Sequence, residues 1–157
     1  MVRKVLLSRL RRDPKRLDQP CRLKLPKEFE ILDMLKTFEV KDPDNPPFLP
    51  ECFLHEYILG HGPAGEPRYS SVSYWKLYNG GTVYRRWVLP NEKAGPPPVG
   101  IVARMCRQVL STLHFMYTGG PQPIYHGDLH ADNVWMHWPL GQHLPDFYLG
   151  DFGQSKL

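Results

Sequence analysis

Two short stretches near the C-terminus decide how this chain folds and which chemistry it can carry. Residues 124–133 read IYHGDLHADN, and residues 148–153 read YLGDFG. The residues between them are enough for one short β-hairpin. Carboxylate and amide oxygens are the hard ligands that Mg²⁺ prefers, and a loop carboxylate can orient a hydroxyl group. The two stretches therefore hold the residues that are most informative about the chemistry of this chain.

The residues just upstream predict a long amphipathic helix. Over residues 99–117 the apolar side chains recur at helical spacing and form one stripe. The stripe consists of Val102, Met105, Cys106, Val109, Leu110, Leu113 and Met116. Gly119 and Gly120 are expected to end this helix. We therefore predict a helix that buries its stripe, including Cys106, immediately before residues 124–133.

The first stretch resembles the protein-kinase catalytic loop H-R-D-L-x-x-x-N, and the second reproduces D-F-G in full. The match to the loop falls on His126, Asp128, Leu129 and Asn133. The resemblance implies that Asp128 accepts the proton of a substrate hydroxyl, while Asn133 and Asp151 hold magnesium against the phosphates of ATP. It also implies a structural role for His126, which would tie the loop to the D-F-G segment.

Two residues of the loop depart from the protein-kinase pattern. Gly127 replaces the arginine that pairs with a phosphorylated activation loop, so regulation by that route is not expected. His130 stands where Ser/Thr kinases carry a lysine that contacts the transferred phosphate, and it is the candidate for that place. The HGDLH sequence is similar to the loop of aminoglycoside and choline kinases, which share the fold. The sequence after Gly153 favours the protein-kinase branch.

Two charged residues in the N-terminal part resemble the lysine and glutamate of the kinase nucleotide site. Val2–Leu7 is predicted to form a strand, in which Lys4 resembles the lysine of V-A-I-K. Residues 27–38 are predicted to form a helix after Pro26, and Glu28 is similar to the partner of that lysine. The resemblance implies an ion pair that places Lys4 on the phosphates. Simpler roles remain open, since Lys4 lies in a basic segment and Glu28 suits the first turn of a helix.

The middle of the chain predicts two strands that lead into a hinge. Residues 52–59 and 69–78 have strand-like sequences, and a glycine-rich turn joins them. Residues 74–81, YWKLYNGG, are similar to the kinase hinge, whose backbone at Lys76 and Tyr78 would pair with adenine. Residues 41–50 are predicted to form a loop and residues 82–89 a short helical piece. Residues 60–65 fit G-x-G-x-x-G, but too little chain follows them to complete a small lobe, and we predict a turn there.

The resemblance implies an α+β, protein-kinase-like two-lobed fold that is truncated at both ends. Residues 1–78 would supply part of the N-lobe sheet with one helix, residues 79–83 the hinge, and residues 84–157 the start of the helical C-lobe up to D-F-G. Nothing before Lys4 resembles a phosphate-covering glycine loop, and nothing after Leu157 resembles an activation segment. Because positioning can contribute roughly 7–11 kcal/mol of barrier lowering, little or no kinase activity is expected of the 157-residue chain as it stands.

Composition sets the remaining expectations. A hydrophobic fraction of 41% indicates a globular chain, and the net charge of +4 is concentrated in the first two dozen residues. That basic segment could bind nucleic acid or anionic lipid, but it lacks interleaved aromatic residues, so a solvated loop is favoured and no nucleic-acid partner is expected.

Three widely spaced cysteines fit neither a disulfide framework nor a zinc ribbon. We expect no membrane span, an intracellular protein in the cytoplasm or nucleus, and ATP and a protein substrate as partners.

Other functions remain open at this stage. The resemblance looks closest to divergent kinase-like proteins of filamentous fungi, and such a fold can also serve as a non-catalytic binding module or as a small-molecule kinase of the aminoglycoside or choline type. A metal-dependent hydrolase is a further alternative, with zinc held by His126, Asp128, His130 and Asp151. The two histidines flank a glycine-containing loop and are not a helical pair, which argues against zinc.

Overall fold

A computed structural model describes residues 2–7, 26–61, 65, 67–89 and 95–157, and for residues 2–7, 59 and 67–70 the description is of the backbone. The basic segment, Cys21 and the centre of the G-x-G-x-x-G match lie outside these residues. The fold is α+β, with two small antiparallel sheets and a few helices. The chain divides into two compact units, one of Met1–Leu25 and Glu51–Leu77 and one of Pro26–Pro50 and Tyr78–Leu157.

The first unit contains a three-stranded antiparallel sheet. Its strands are β1 (Val2–Leu7), β2 (Cys52–His61) and β3 (Pro67–Trp75), and β3 lies in the centre. The predicted strands are confirmed, although β2 runs two residues further and β3 ends at Trp75. Trp75 is buried, and its indole Nε1 donates to the hydroxyl of Ser73 at 2.7 Å. The buried hydroxyl of Ser73 thus satisfies the indole N–H of the buried Trp75.

The second unit combines helices with the other sheet. It contains α1 (Lys27–Lys36), β4 (Gly81–Thr82), a π-helical turn (Tyr84–Val88), α2 (Val99–Thr118), β5 (Val134–His137) and β6 (Asp146–Leu149). Two short 3-10 turns, Ala131–Asn133 and Phe152–Gln154, flank the β5–β6 hairpin. The hairpin predicted between the two motifs is confirmed, as are the loop over residues 41–50 and the helical piece after Thr82.

Helix α1 follows Pro26, whose fixed φ suits a helix start, and carries acidic residues in its first turn. Its buried face includes Glu28, Phe29 and Leu32, and the helix packs against the turn Phe152–Gln154. The helix ends at Lys36, two residues before the predicted end. Beyond it, the ring of Phe38 lies 5.9 Å from that of Phe115, on α2.

The prediction for α2 is confirmed in extent but wrong in part about its buried face. Cys106 and Leu110 are exposed, whereas Gln108 and Thr112 are buried. The reason is hydrogen bonding to neighbouring backbone. The side-chain oxygen of Gln108 accepts from the N–H of Phe147 at 2.8 Å, and the hydroxyl of Thr112 accepts from another backbone N–H, in the loop over residues 41–50, at 2.9 Å. These polar side chains satisfy groups that an apolar stripe would leave unpaired.

The glycines that end α2 have a packing reason. A Cβ added to Gly120 would lie 2.1 Å from the ring of Phe38, and one added to Gly119 would lie 2.6 Å from the carbonyl oxygen of Phe115. Gly120 therefore leaves room for the segment after α1 to pack on the helix end, and Gly119 leaves room for the backbone of the last turn of α2. Within the part of the chain that the structure describes, no helix has the length and apolar character needed to cross a membrane.

Candidate functional site

The two motif-bearing segments are joined by backbone hydrogen bonds. Tyr125 and Lys156 form an antiparallel bridge, with N–H to carbonyl distances of 2.8 and 2.9 Å. The N–H of Gly150 donates to the carbonyl of Asn133 at 2.9 Å. The hydroxyl of Ser155 donates to the carbonyl of His126 at 3.1 Å. The loop over residues 124–133 and the D-F-G segment are consequently joined within the second unit.

His126 is the buried centre of this piece. Its Nε2 lies 3.0 Å from the carbonyl oxygen of Gly150, and its Nδ1 lies 3.3 Å from the N–H of Asp128. A carbonyl only accepts and an N–H only donates, so the ring is neutral with its proton on Nε2. The ring also meets that of Phe152 edge-on at 5.2 Å. His126 therefore joins the loop to the D-F-G segment by a hydrogen bond and by an aromatic contact.

Gly127 has a conformation that a side chain would oppose. Its φ is +79°, and a Cβ at this position would lie 2.5 Å from the carbonyl oxygen of Gln154. The residue thus allows the loop to approach the backbone of the segment after D-F-G. The absence of an arginine at this position follows from close packing of two backbone segments.

Asp128, His130 and Asn133 lie together in the loop. The Asn133 amide Nδ2 donates to the backbone carbonyl of Asp128 at 2.9 Å and to its carboxylate at 3.1 Å. The Nε2 of His130 lies 3.5 Å from that carboxylate and 3.0 Å from the Asn133 amide. Asn133 is buried, whereas 42% of the Asp128 side chain is exposed. The loop therefore fixes a carboxylate that solvent and small molecules can reach.

Asp151 directly follows Gly150, whose N–H binds the loop, and it has an unusual backbone conformation. Its φ of 61° and ψ of 71° are left-handed, and among the described residues no other non-glycine residue has a positive φ. The N–H of Gly153 donates to the Asp151 carboxylate at 3.3 Å, which stabilises the turn. A left-handed non-glycine residue costs on the order of 1–3 kcal/mol, and such residues cluster at functional sites. The conformation makes Asp151 a candidate functional residue independently of its motif.

The charges of Asp128 and Asp151 both act on the buried His126. Burial lowers the pKa of His126 below its ordinary value of 6.5, and the hydrogen bond to Gly150 and the charges of Asp128 and Asp151 oppose this effect in part. Both carboxylates therefore lie close enough to act on the same imidazole ring. Gly150 binds His126 through its carbonyl and Asn133 through its N–H, so the loop over residues 124–133 and the D-F-G segment form one cluster.

The structure places the remaining candidates as follows. Glu28 is buried on α1 and belongs to the same unit as the cluster. Lys4 lies on β1 opposite Ser73, and its side chain is outside the described part, so its ion pair with Glu28 stays a prediction. The backbone N–H of Lys76 donates to the carbonyl of Glu51 at 2.9 Å. An adenine contact through that N–H would have to break this hydrogen bond.

Tyr78 lies in an aromatic cluster. Its carbonyl accepts from the N–H of Gly81 at 3.1 Å, and its ring packs against those of Trp135 and Tyr148, with centroid distances of 5.4 and 4.6 Å. A Cβ on Gly150 would approach the Trp135 ring to 3.1 Å. The aromatic cluster and the D-F-G segment are therefore in direct contact.

The zinc alternative does not fit this geometry. In residues 26–61, 65, 67–89 and 95–157 no group of three or more histidine, cysteine, aspartate or glutamate side chains could hold a metal ion. Both ring nitrogens of His126 are engaged, one with Gly150 and one with Asp128. A histidine whose nitrogens are both used inside the protein cannot supply a zinc ligand without breaking one of these bonds.

No protein-family model matches this chain, and no curated protein matches it. Two residues that the sequence motifs did not identify contribute to the candidate site. Gly150 joins the two segments, and Asp132 accepts a hydrogen bond from the hydroxyl of Thr82 at 2.8 Å, which links the loop to β4. Gly150 directly precedes D-F-G, and this adjacency was the signal available in the sequence.

The lowered pKa of His126 predicts a pH-dependent stability. The unfolded chain binds a proton at about pH 6.5, whereas the folded chain resists protonation of this ring. Stability is therefore complete above pH 6.5 and falls as the pH is lowered through that value, by at most about 1.4 kcal/mol per pH unit. Urea denaturation of the wild type and of His126→Gln at pH 7.5 and 5.5 measures this contribution.

The control for this measurement is His143→Gln, because His143 is exposed in the turn between β5 and β6. We expect His143→Gln to keep the pH dependence of the wild type and His126→Gln to lose part of it. Equal pH dependence in all three proteins would contradict the assignment of a neutral, buried His126.

Proposed function

We propose that this chain is an ATP-dependent phosphotransferase of the protein-kinase type, with a protein-kinase-like two-lobed fold and with protein serine or threonine hydroxyls as acceptors. The observation that carries the proposal is the cluster itself. An accessible carboxylate on Asp128 is fixed by the Asn133 amide, and the Asn133 carbonyl accepts from the N–H of Gly150, next to Asp151 in its left-handed conformation. Transfer of a phosphoryl group needs such a fixed base beside a magnesium-binding pair.

The residues fit magnesium better than a metal held by protein groups alone. The Asn133 Nδ2 points at Asp128, so its Oδ1 is turned away from that residue and can bind a cation. Asp151 would supply the second oxygen ligand. Magnesium keeps several water and phosphate ligands and needs only one or two protein groups. The lack of any larger cluster of acidic, histidine or cysteine ligands among the described residues is consistent with this.

In the proposed mechanism each residue has a separate task. Asp128 accepts the proton of the acceptor hydroxyl, and the Asn133 amide holds the Asp128 carboxylate in place. His130 lies beside Asp128 and would face the transferred phosphate. His126 positions both segments through its hydrogen bonds to the carbonyl of Gly150 and the N–H of Asp128. Bound magnesium would neutralise the developing charge on the phosphates, and Lys4 and Glu28 would complete the nucleotide site.

Magnesium-dependent nucleotide binding tests the proposal directly. We expect Asp151→Asn to weaken the binding of Mg²⁺ and ADP, measured by isothermal titration calorimetry, by at least about tenfold, because a charged ligand is lost. The matched control is Asp132→Asn. Asp132 is an exposed carboxylate of the same loop, and an asparagine there can still accept the Thr82 hydroxyl.

Binding that is equally tight without magnesium, or in Asp151→Asn, would contradict the proposed site. Transfer of phosphate from ATP to a generic protein substrate separates the alternatives. If the wild type transfers phosphate, Asp128→Asn should lower the rate by about 10²–10⁴-fold. A chain that binds nucleotide and transfers nothing would be a non-catalytic module, and transfer to an aminoglycoside or choline would indicate a small-molecule kinase.

A further inference from the structure

One face of α2 presents apolar side chains to solvent. Six of them follow one another at alternating intervals of four and three residues, which is the spacing of a coiled-coil seam. This exposed seam consists of Val99, Ala103, Cys106, Leu110, Leu113 and Tyr117. Val99, Leu110 and Tyr117 are 85%, 62% and 54% exposed, respectively. Ala103 and Cys106 are also exposed, and Leu113 is half-buried.

The seam is separate from the face that α2 buries in its own unit. The buried face includes Gln108, Thr112 and Phe115, which contact β6, the loop over residues 41–50 and Phe38. At 100° per residue, the centre of this face lies more than a third of a turn away from the centre of the seam. The heptad spacing therefore does not coincide with the face that α2 buries within the described part of the chain.

The charges on α2 do not oppose contact between two seams. The seam contains no charged residue. The guanidinium of Arg104 is held by Asp146 at 2.6 Å, and that of Arg107 donates to the side chain of Asn45 at 3.0 Å. The two arginines of α2 are thus bound to groups of their own chain. A partner for the seam needs an uncharged apolar surface of the same spacing, and the seam itself is such a surface.

The order of side-chain sizes along the seam makes it complementary to itself. The N-terminal half carries the smaller residues and the C-terminal half carries the larger ones. We propose that the seam binds a second copy of this chain as an antiparallel, two-fold symmetric helix pair. Val99 then meets Tyr117 of the second copy, Ala103 meets Leu113, and Cys106 meets Leu110. Every layer combines a small with a large side chain, as close packing requires.

The size of the seam sets the strength of this dimer. A helix of 20 residues is about 30 Å long, and two such helices form a small interface compared with the roughly 1,200–2,000 Å² of stable complexes. We therefore expect a dimer that dissociates on dilution in the micromolar range. The edge contact between the rings of Tyr117 and Tyr125, at 5.8 Å, extends the apolar surface at one end of the seam.

Sedimentation velocity of the purified chain tests the dimer over a range from about 1 to 300 μM. We expect the mass to rise from 18.2 kDa towards twice that value. Leu110→Glu places a charge at the centre of the seam and should leave a monomer with unchanged circular dichroism. The matched control is Leu140→Glu, a fully exposed position in the turn between β5 and β6, which should dimerise as the wild type does. A wild type that stays monomeric, or a Leu110→Glu variant that still dimerises, would overturn the proposal.

Disulfide cross-linking tests the antiparallel arrangement, in a chain whose Cys21 and Cys52 are replaced by serine. With Cys106 alone, the antiparallel pair places a leucine opposite each cysteine, and mild oxidation should give no covalent dimer. Adding Leu110→Cys brings two cysteine pairs together and should give one, whereas Leu140→Cys should not. Cross-linking through Cys106 alone would indicate a parallel pair, and failure of Leu110→Cys to cross-link would exclude the proposed layers. Either result overturns the proposal.

Discussion

Replacing Phe152 by alanine is expected to lower the free energy of unfolding by about 3–5 kcal/mol. Phe152 is completely buried, meets the ring of His126 edge-on, and lies in the turn on which α1 packs. Its removal leaves a cavity between α1 and the loop over residues 124–133. Both elements are fixed by backbone hydrogen bonds, so they cannot collapse fully into the space. Urea denaturation monitored by circular dichroism measures the change.

The control for Phe152→Ala is Leu140→Ala, because Leu140 is fully exposed and its truncation should change stability by less than about 0.5 kcal/mol. Nucleotide binding provides a second measurement on the same variant. Since Asp151 directly precedes Phe152, we expect weaker magnesium-dependent binding together with the lower stability. A loss of stability below about 1 kcal/mol would show that the D-F-G turn is not part of the core.

Replacing Gly127 by alanine should also have a large effect. A left-handed alanine costs about 1–2 kcal/mol, and the Cβ would lie 2.5 Å from the carbonyl oxygen of Gln154, which is backbone and cannot rotate away. Overpacking of this kind adds about 1–3 kcal/mol. The total of about 2–5 kcal/mol should appear as a lower urea midpoint. If the wild type transfers phosphate, the transfer should be slower in this variant as well, because Asp128 follows Gly127 directly.

Gly141 offers a matched control for the steric part. Its φ is +78°, nearly identical to that of Gly127, but a Cβ there would meet nothing within 4 Å. Gly141→Ala should therefore cost only the backbone strain. The difference between the two variants measures how closely the loop approaches the segment after D-F-G. Equal losses of stability would mean that this close approach contributes nothing.

Local sequence patterns were sufficient for most of the secondary structure. The strand Val2–Leu7, the helix from Val99 and the β5–β6 hairpin agree with the predicted elements. The stop at Gly119 was also predictable, since two glycines follow the last helical turn. These features depend on neighbours in the chain, and hydrophobic spacing and turn residues record such preferences directly.

Local patterns were not sufficient to determine which face of α2 is buried. The helical stripe placed Cys106 in the core, although it is exposed, and gave no role to Gln108. Gln108 is buried because its side chain pairs with the backbone N–H of Phe147 and with the carboxylate of Asp146. These partners lie almost forty residues away, and no local period contains information about them. The same limit applies to the arrangement of the two units, for which the predicted lobe boundary stays a prediction.

At the candidate site the sequence by itself determined the chemical groups, and the tertiary structure decided how they are held. The motifs identified Asp128, Asn133 and Asp151, because the residue types and their order are visible in one dimension. The left-handed backbone of Asp151 and the packing that requires glycine at position 127 became apparent only in three dimensions. Both depend on the contact between two segments that the β5–β6 hairpin brings together. Hydrogen bonds across that contact fix the backbone, and a backbone conformation fixed by distant partners leaves no repeating pattern in the sequence.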